Sequence, residues 1–243
     1  MPSAPEAASE SPAAQGFAAW SKNKSDPRFT DWLRELSEPT WTQATEHRFT
    51  RELADDTLDD AVFRHYLVQD YSFVDRFVSL LGFAIGRAPS LAERIRLSRF
   101  LDAVTSEENT YFQRSFDTLG VSDRDRTEPA LAPPTRGFHE LMKEASEAGS
   151  YEEVLAVLVV AEWLYLSWAT AVKDCSPSKF YFAEWIELHA GDTFQEFVEW
   201  LRGQLDRHGP ALSPERRETV VELFLKAVRL EKEFFDAAYE QDA

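Results

Sequence analysis

Apolar residues recur three and four positions apart along almost the whole chain, and short breakers cut this helical pattern into segments. The spacing predicts short helices over 29–36 and 40–47, separated by Pro39. It predicts a long helix over 58–87, ended by Ala88-Pro89, and another over 91–119, closed by Gly120. Residues 122–134 carry three prolines and read as a charged connection. A short helix comes next over 138–148, with Gly149 past its end. Residues 151–172 are apolar on nearly every side between Val154 and Trp163, the mark of a helix buried centrally. Helices over 180–190 and 194–205 are split at Gly191. Ser213-Pro214 supplies an N-cap and a first-turn proline for a last helix running to about Tyr239. No internal repeat and no strong strand signal occurs. The pattern predicts an all-α fold: a single helical domain over 23–243 behind a disordered tail over 1–22, whose first residues are rich in Ala, Pro, Ser and Glu.

Composition agrees with helix and narrows the partners. At 243 residues and 44% hydrophobic, the chain has ample apolar surface for a core. Only 9 glycines and few β-branched runs favour helix over sheet. The net charge of −17 repels nucleic acid and anionic membrane, so neither is expected as a partner. Cys175 is the single cysteine, which excludes an intramolecular disulfide and an all-thiolate metal site. No apolar run approaches the ~20 residues of a membrane span. The N-terminus lacks the basic and apolar regions of a secretory signal, so a cytoplasmic location is expected.

Three acids interrupt the apolar stripes. Asp70 continues the face of Phe63, Tyr66, Leu67, Phe73, Val74, Phe77 and Leu81. Glu162 fills the gap between Leu158 and Tyr165, and Glu231 the gap between Val228 and Phe234. An ionised carboxylate is costly to bury unless it is paired and hydrogen-bonded. Each acid taken singly could pair with a buried arginine or cap a backbone group. Three on three helices, each beside Tyr, Trp or Phe, point instead to a shared polar pocket in an aromatic cage. Burial raises a carboxyl's pKa and proximity splits the values of neighbours, giving a proton donor and an acceptor. Such a pocket suits acid–base chemistry on a flat, nitrogen-rich small molecule, stacked between aromatic walls.

The run Tyr66-Leu67-Val68-Gln69-Asp70-Tyr71, preceded by His47-Arg48-Phe49 and Thr57-Leu58, resembles the TenA (thiaminase II-like) family, whose early helices carry an HPF…L…F..Y..QDY pattern. The likeness continues through Trp163-Leu164-Tyr165, Tyr181, Trp185-Ile186 and Glu231-Lys232-Glu233-Phe234-Phe235, in order, from His47 to Ala238. It implies a haem-oxygenase-like helical bundle without haem or other cofactor, assembling as a homo-oligomer (dimer or tetramer). Carried over by position, Asp70 matches the aspartate that binds the aminopyrimidine ring and Tyr165 the tyrosine beside the reactive group. Glu231 matches the acid near the C-terminus and Phe234 its aromatic neighbour.

Departures from the family pattern bear on mechanism. Many members carry a nucleophilic cysteine four residues before that tyrosine; here the position is Ala161. Phe73, Phe77 and Phe138 stand where tyrosines are expected, and His189 follows Trp185-Ile186 where a tyrosine is common. Cys175, about three helical turns beyond Tyr165, reads as a small packing residue rather than a substitute nucleophile. The chain therefore looks like the branch with glutamate in place of cysteine, with Glu162 the candidate. The resemblance implies a hydrolase of thiamin salvage acting on an aminomethyl- or formylaminomethyl-pyrimidine. Asp70 would anchor the ring, and Glu162 and Glu231 would share general acid and base duties. Phe73, Phe77, Phe138, Trp163, Tyr165 and Phe234 would shape the cage, with His189 a polar contact and no metal. One alternative is a non-catalytic pyrimidine-binding or regulatory homologue. Another is a di-iron oxygenase on the same bundle, although the five histidines (His47, His65, His139, His189, His208) form no His-x-x-x-Asp-x-x-His cluster.

Overall fold

A computed structural model of the chain describes residues 12–240. The first four helices are α1 (Pro12–Ser21), α2 (Phe29–Leu36), α3 (Thr40–Thr45) and α4 (Arg48–Ala54). The long α5 (Asp60–Arg87) is followed by α6 (Leu91–Ala103), a π-helical turn (Val104–Glu108) and α7 (Asn109–Leu119). Then come α8 (Asp123–Thr127), α9 (Pro133–Ala148), α10 (Tyr151–Ala171), α11 (Phe180–Ala190), α12 (Asp192–His208) and α13 (Pro214–Ala237). No strand occurs among the described residues.

Local chemistry sets many of the boundaries. Asp59 caps α5 by accepting from the Ala61 amide at 2.7 Å, and Ser90 caps α6 through Ala92. Ser150 and Glu153 form a reciprocal capping box at the start of α10. Gly120 and Gly149 follow α7 and α9 at φ 66° and 93°, a left-handed conformation that glycine adopts without a Cβ clash.

Helix α10 is the axis of the bundle. It packs most extensively against α13 and α12, and also against α3, α5, α9 and α11. Contrary to the expectation from uninterrupted apolar runs, α10 is long and apolar enough to cross a bilayer, yet 83% of its most apolar window is buried inside the protein. One continuous cluster of buried apolar residues runs from Trp20 to Ala238 around it.

The expectations differ from the structure at a few elements. Of the predicted tail, residues 1–11 lie outside the described residues, whereas 12–21 form α1. There Phe17 packs on Phe29 and Trp32, with ring centroids 5.2 and 5.8 Å away, so aromatic burial orders this stretch. Helix α4 lies within 48–54, where His47 caps it through the Phe49 amide and ties it to α13 through a 3.1 Å contact with Asp236. Helix α9 begins earlier than predicted, because Gln69 of α5 pins its entry. The Gln69 side chain donates to the Ala130 carbonyl and accepts from the Ala132 amide and the Thr135 hydroxyl, at 2.8–2.9 Å. Cys175 is exposed on the loop after α10, not packed.

Candidate active site

A cavity of about 640 Å³ opens between α5, the α6–π turn–α7 segment, α10, α11 and α12. Asp70, Phe73 and Phe77 line it from α5, and Ala161, Glu162 and Tyr165 from α10. These are the inward positions of two amphipathic or fully buried helices, with an acid where the stripe would otherwise be apolar. Trp185 and His189 complete one side from α11, and Phe194 and Phe197 another from α12. The remaining wall is α6, with Ile95, Arg96, Arg99 and Phe100, and the π turn, which contributes Glu107 and Glu108. One extra residue in a helical turn rotates the next turn by about 100°, so a carboxyl can enter the cavity while Tyr111 and Phe112 beyond it stay in the core.

The run 69–71 holds this wall in place. Gln69 fixes the entry to α9, Asp70 faces the cavity, and the Tyr71 hydroxyl donates to the Asn109 side chain at 3.0 Å. Asn109 is the residue directly after Glu108, so the neighbour of one cavity acid grips the neighbour of another.

Asp70, Glu162 and Glu231 are 5%, 8% and 2% exposed, and burial pushes all three carboxyls well above their ordinary range. Mutual repulsion adds to this. The charge of Glu108 raises Asp70, those of Glu108 and Asp70 raise Glu162, and those of Asp70 and Glu162 raise Glu231. Glu108 itself is pushed up by burial to about 7. Its carboxyl therefore titrates near neutrality.

Hydrogen bonds organise the deep end. The Tyr66 and Tyr165 hydroxyls lie 2.6 Å apart, and the Tyr66 hydroxyl lowers the Asp70 pKa against the larger effect of burial. His189 Nδ1 lies 2.8 Å from the Trp185 carbonyl, which can only accept, so Nδ1 carries the proton and Nε2 is a bare acceptor. Burial lowers the imidazole pKa to about 4, so the ring is neutral at physiological pH.

Of the residues expected from sequence, Asp70, Phe73, Phe77, Glu162, Tyr165 and His189 share the cavity wall. Phe138 and Phe234 stand behind it, packed edge-on to Phe73 with centroids 5.0 and 6.3 Å away, and support the wall without lining it. Glu231 is also off the wall, with Oε1 buried and lacking a hydrogen-bond partner. Trp163 is placed differently from the cage position expected. It sits about 100° around α10 from Glu162, its ring 4.7 Å from Trp41 and 3.7 Å from the Arg202 guanidinium. Glu108 was not foreseen: a continuous helical pattern over 91–119 gives no sign of the π turn that aims it.

Among the described residues no group of three or more His, Cys, Asp and Glu is arranged to hold a metal ion. Of the histidines only His189 lines the cavity. His47 is engaged with Asp236, and His139 Nε2 contacts the Ser72 carbonyl. The di-iron alternative therefore lacks the imidazole ligands it needs.

Comparison with known proteins agrees with this architecture. Residues 35–241 match the TENA/THI-4/PQQC family. The chain belongs to that family. Among similar TenA-type proteins is the aminopyrimidine aminohydrolase of Halalkalibacterium halodurans, 27% identical over 216 residues, covering 88% of this chain and 96% of the relative. The aminopyrimidine aminohydrolase of Bacillus subtilis is 23% identical over 215 residues, covering 88% and 91%. The crystal structure of a TenA homologue from Pyrococcus furiosus superposes with a TM-score of 0.78 at 21% identity, covering 87% of this chain and 100% of that one. That likeness carries the TenA fold, a haem-oxygenase-like bundle.

Proposed function

We propose that this TenA-family chain is an aminopyrimidine hydrolase of thiamin salvage, cleaving a C–N bond of an aminomethyl- or formylaminomethyl-pyrimidine. The observation that carries this is the cavity itself. Aromatic walls suited to a flat ring converge with Asp70 and an unpartnered Glu162 whose pKa burial raises, in a chain similar to aminopyrimidine aminohydrolases over most of its length.

Asp70, held by Tyr66, anchors the amino and nitrogen edge of the ring. Phe73 and Phe77 flank the ring, and His189 Nε2 accepts a hydrogen bond from it. Ala161 lines the cavity where the resemblance places a nucleophilic cysteine, and a methyl group cannot attack. Water is therefore the nucleophile, and acid–base activation replaces covalent catalysis. Its hydroxyl goes to the carbon, its proton to a carboxylate, and a carboxyl returns a proton to the leaving nitrogen. Glu162, on the wall, and Glu231, buried behind it, share these duties. This chemistry calls for no cofactor. The family resemblance implies a cytoplasmic homo-oligomer, a dimer or tetramer, which sedimentation would measure.

The direct test is incubation of the purified protein with both pyrimidines, followed by chromatography of the products and measurement of ammonia and formate. Release of either supports the proposal. A second reading, a binding protein that has lost the chemistry, is favoured by Ala161 and by the phenylalanines in tyrosine positions. Stabilisation of the protein by a pyrimidine with no ammonia or formate released would decide for it.

A further inference from the structure

We infer that Glu108 selects the charge of the ligand, so that the cavity prefers a pyrimidine bearing a protonated, cationic amine over the neutral formylamino derivative. This rests on the pyrimidine-hydrolase proposal and chooses between the two substrates it leaves open.

Three observations converge on Glu108. The first is its placement: a π-helical turn puts it on the cavity wall, and the Tyr71–Asn109 hydrogen bond fixes that wall beside Asp70. The second is Glu162, 8% exposed, on the wall of the same cavity, with no hydrogen-bond or ion-pair partner among the described residues. The third is the absence, among those residues, of a basic group bonded to Glu108, Asp70 or Glu162. Arg96 and Arg99 also line the cavity, but Arg96 donates to the Glu196 carbonyl, and neither is hydrogen-bonded to the three acids.

Carboxyls from three helices thus face one space and repel one another. An alkylammonium group relieves that repulsion and brings three N–H donors to acceptors that lack them. A formamide brings one N–H and a carbonyl oxygen, which a carboxylate repels. Glu108 titrates near neutrality, and its charge also bears on Asp70 and Glu162. A cation in the cavity therefore meets Glu108 as its first counter-ion.

The test compares wild type with Glu108→Gln and Glu108→Asp, all confirmed folded by circular dichroism. For each, kcat/KM is measured on the aminomethyl and the formylaminomethyl pyrimidine. Glu108→Gln is expected to lower the ratio of kcat/KM on the amine to kcat/KM on the formylamino compound by about tenfold or more, beyond any loss common to both. Glu108→Asp, which keeps the charge, is expected to retain most of the preference. A parallel titration with benzylamine and benzyl alcohol reads charge selection without the pyrimidine edge. Wild type should bind the amine more tightly, and Glu108→Gln should abolish the difference. Equal losses on both pyrimidines, or an unchanged benzylamine preference in Glu108→Gln, would overturn the inference. If neither pyrimidine is turned over while benzylamine selection follows Glu108, the hydrolase proposal fails and the charge selection stands.

Discussion

Replacing Glu162 by glutamine exchanges one carboxyl oxygen for an amide nitrogen and keeps the side chain's volume. The side chain lies on the cavity wall without a partner, so no protein contact is lost, and two effects of opposite sign remain. The first is on catalysis. A positioned general acid or base contributes about 10²–10⁴ in rate, equivalent to about 2.7–5.4 kcal/mol of barrier. The second is on stability. Burial, then the charges of Glu108 and Asp70, hold the folded carboxyl well above its ordinary 4.5. A carboxyl raised in the folded state binds protons more tightly there than in the unfolded chain. Its contribution is complete below about pH 4.5 and is lost as pH rises through the folded value. The amide does not titrate and avoids that loss. Glu162→Gln should therefore be a dead or nearly dead enzyme that resists urea better than wild type near pH 8, with the gap closing near pH 5. The assays are ammonia or formate release at saturating pyrimidine, and urea denaturation at the two pH values. A kcat within about threefold of wild type, far short of the hundredfold floor for proton transfer, would refute the catalytic role. A stability difference independent of pH would refute the electrostatic account.

Glu231→Gln, judged by the same turnover assay, should also abolish activity while leaving the helical signal intact. Tyr66→Phe removes the 2.6 Å bond to Tyr165 and the hydroxyl that lowers the Asp70 pKa. Leaving buried partners unsatisfied should cost about 1–3 kcal/mol in urea denaturation and raise KM. Trp163→Phe weakens the packing on Trp41 and Arg202 and should lower stability by about 1 kcal/mol with KM unchanged, since the ring faces away from the cavity. The His189 ring, followed by NMR, should titrate near 4, and a midpoint near 6.5 would contradict its burial. Its folded pKa lies below the unfolded one, so its contribution to stability is full above about pH 6.5 and falls away as pH drops towards 4.

How much of this was legible in sequence depends on the range of the forces involved. Helix spacing, the N-cap and first-turn proline at Ser213-Pro214, and the stops at Gly120 and Gly149 depend on residues a few positions apart. They were readable one segment at a time. The acids at 70, 162 and 231 were readable for the same reason: a polar residue in an apolar stripe stands out against its own turn. The family likeness added what periodicity could not, namely which small molecule suits the pocket and that a cysteine is missing at Ala161.

Side-chain direction relative to other helices was decided only by the tertiary structure. Helix α10 is apolar on almost every side, so its sequence distinguishes no face, and packing alone turns Glu162 towards the cavity and Trp163 towards Arg202. Glu231 meets the criteria of a pocket acid from its stripe, yet the bundle sets it behind the wall. Glu108 is the clearest case. Its segment has regular helical spacing, and a single extra residue in the turn, which periodicity averages over, rotates it into the site. The chain by itself determined an all-helical fold and the chemistry of most of the pocket, because propensity and amphipathic pattern are local. Which acids share one space was decided by the packing of helices far apart in sequence.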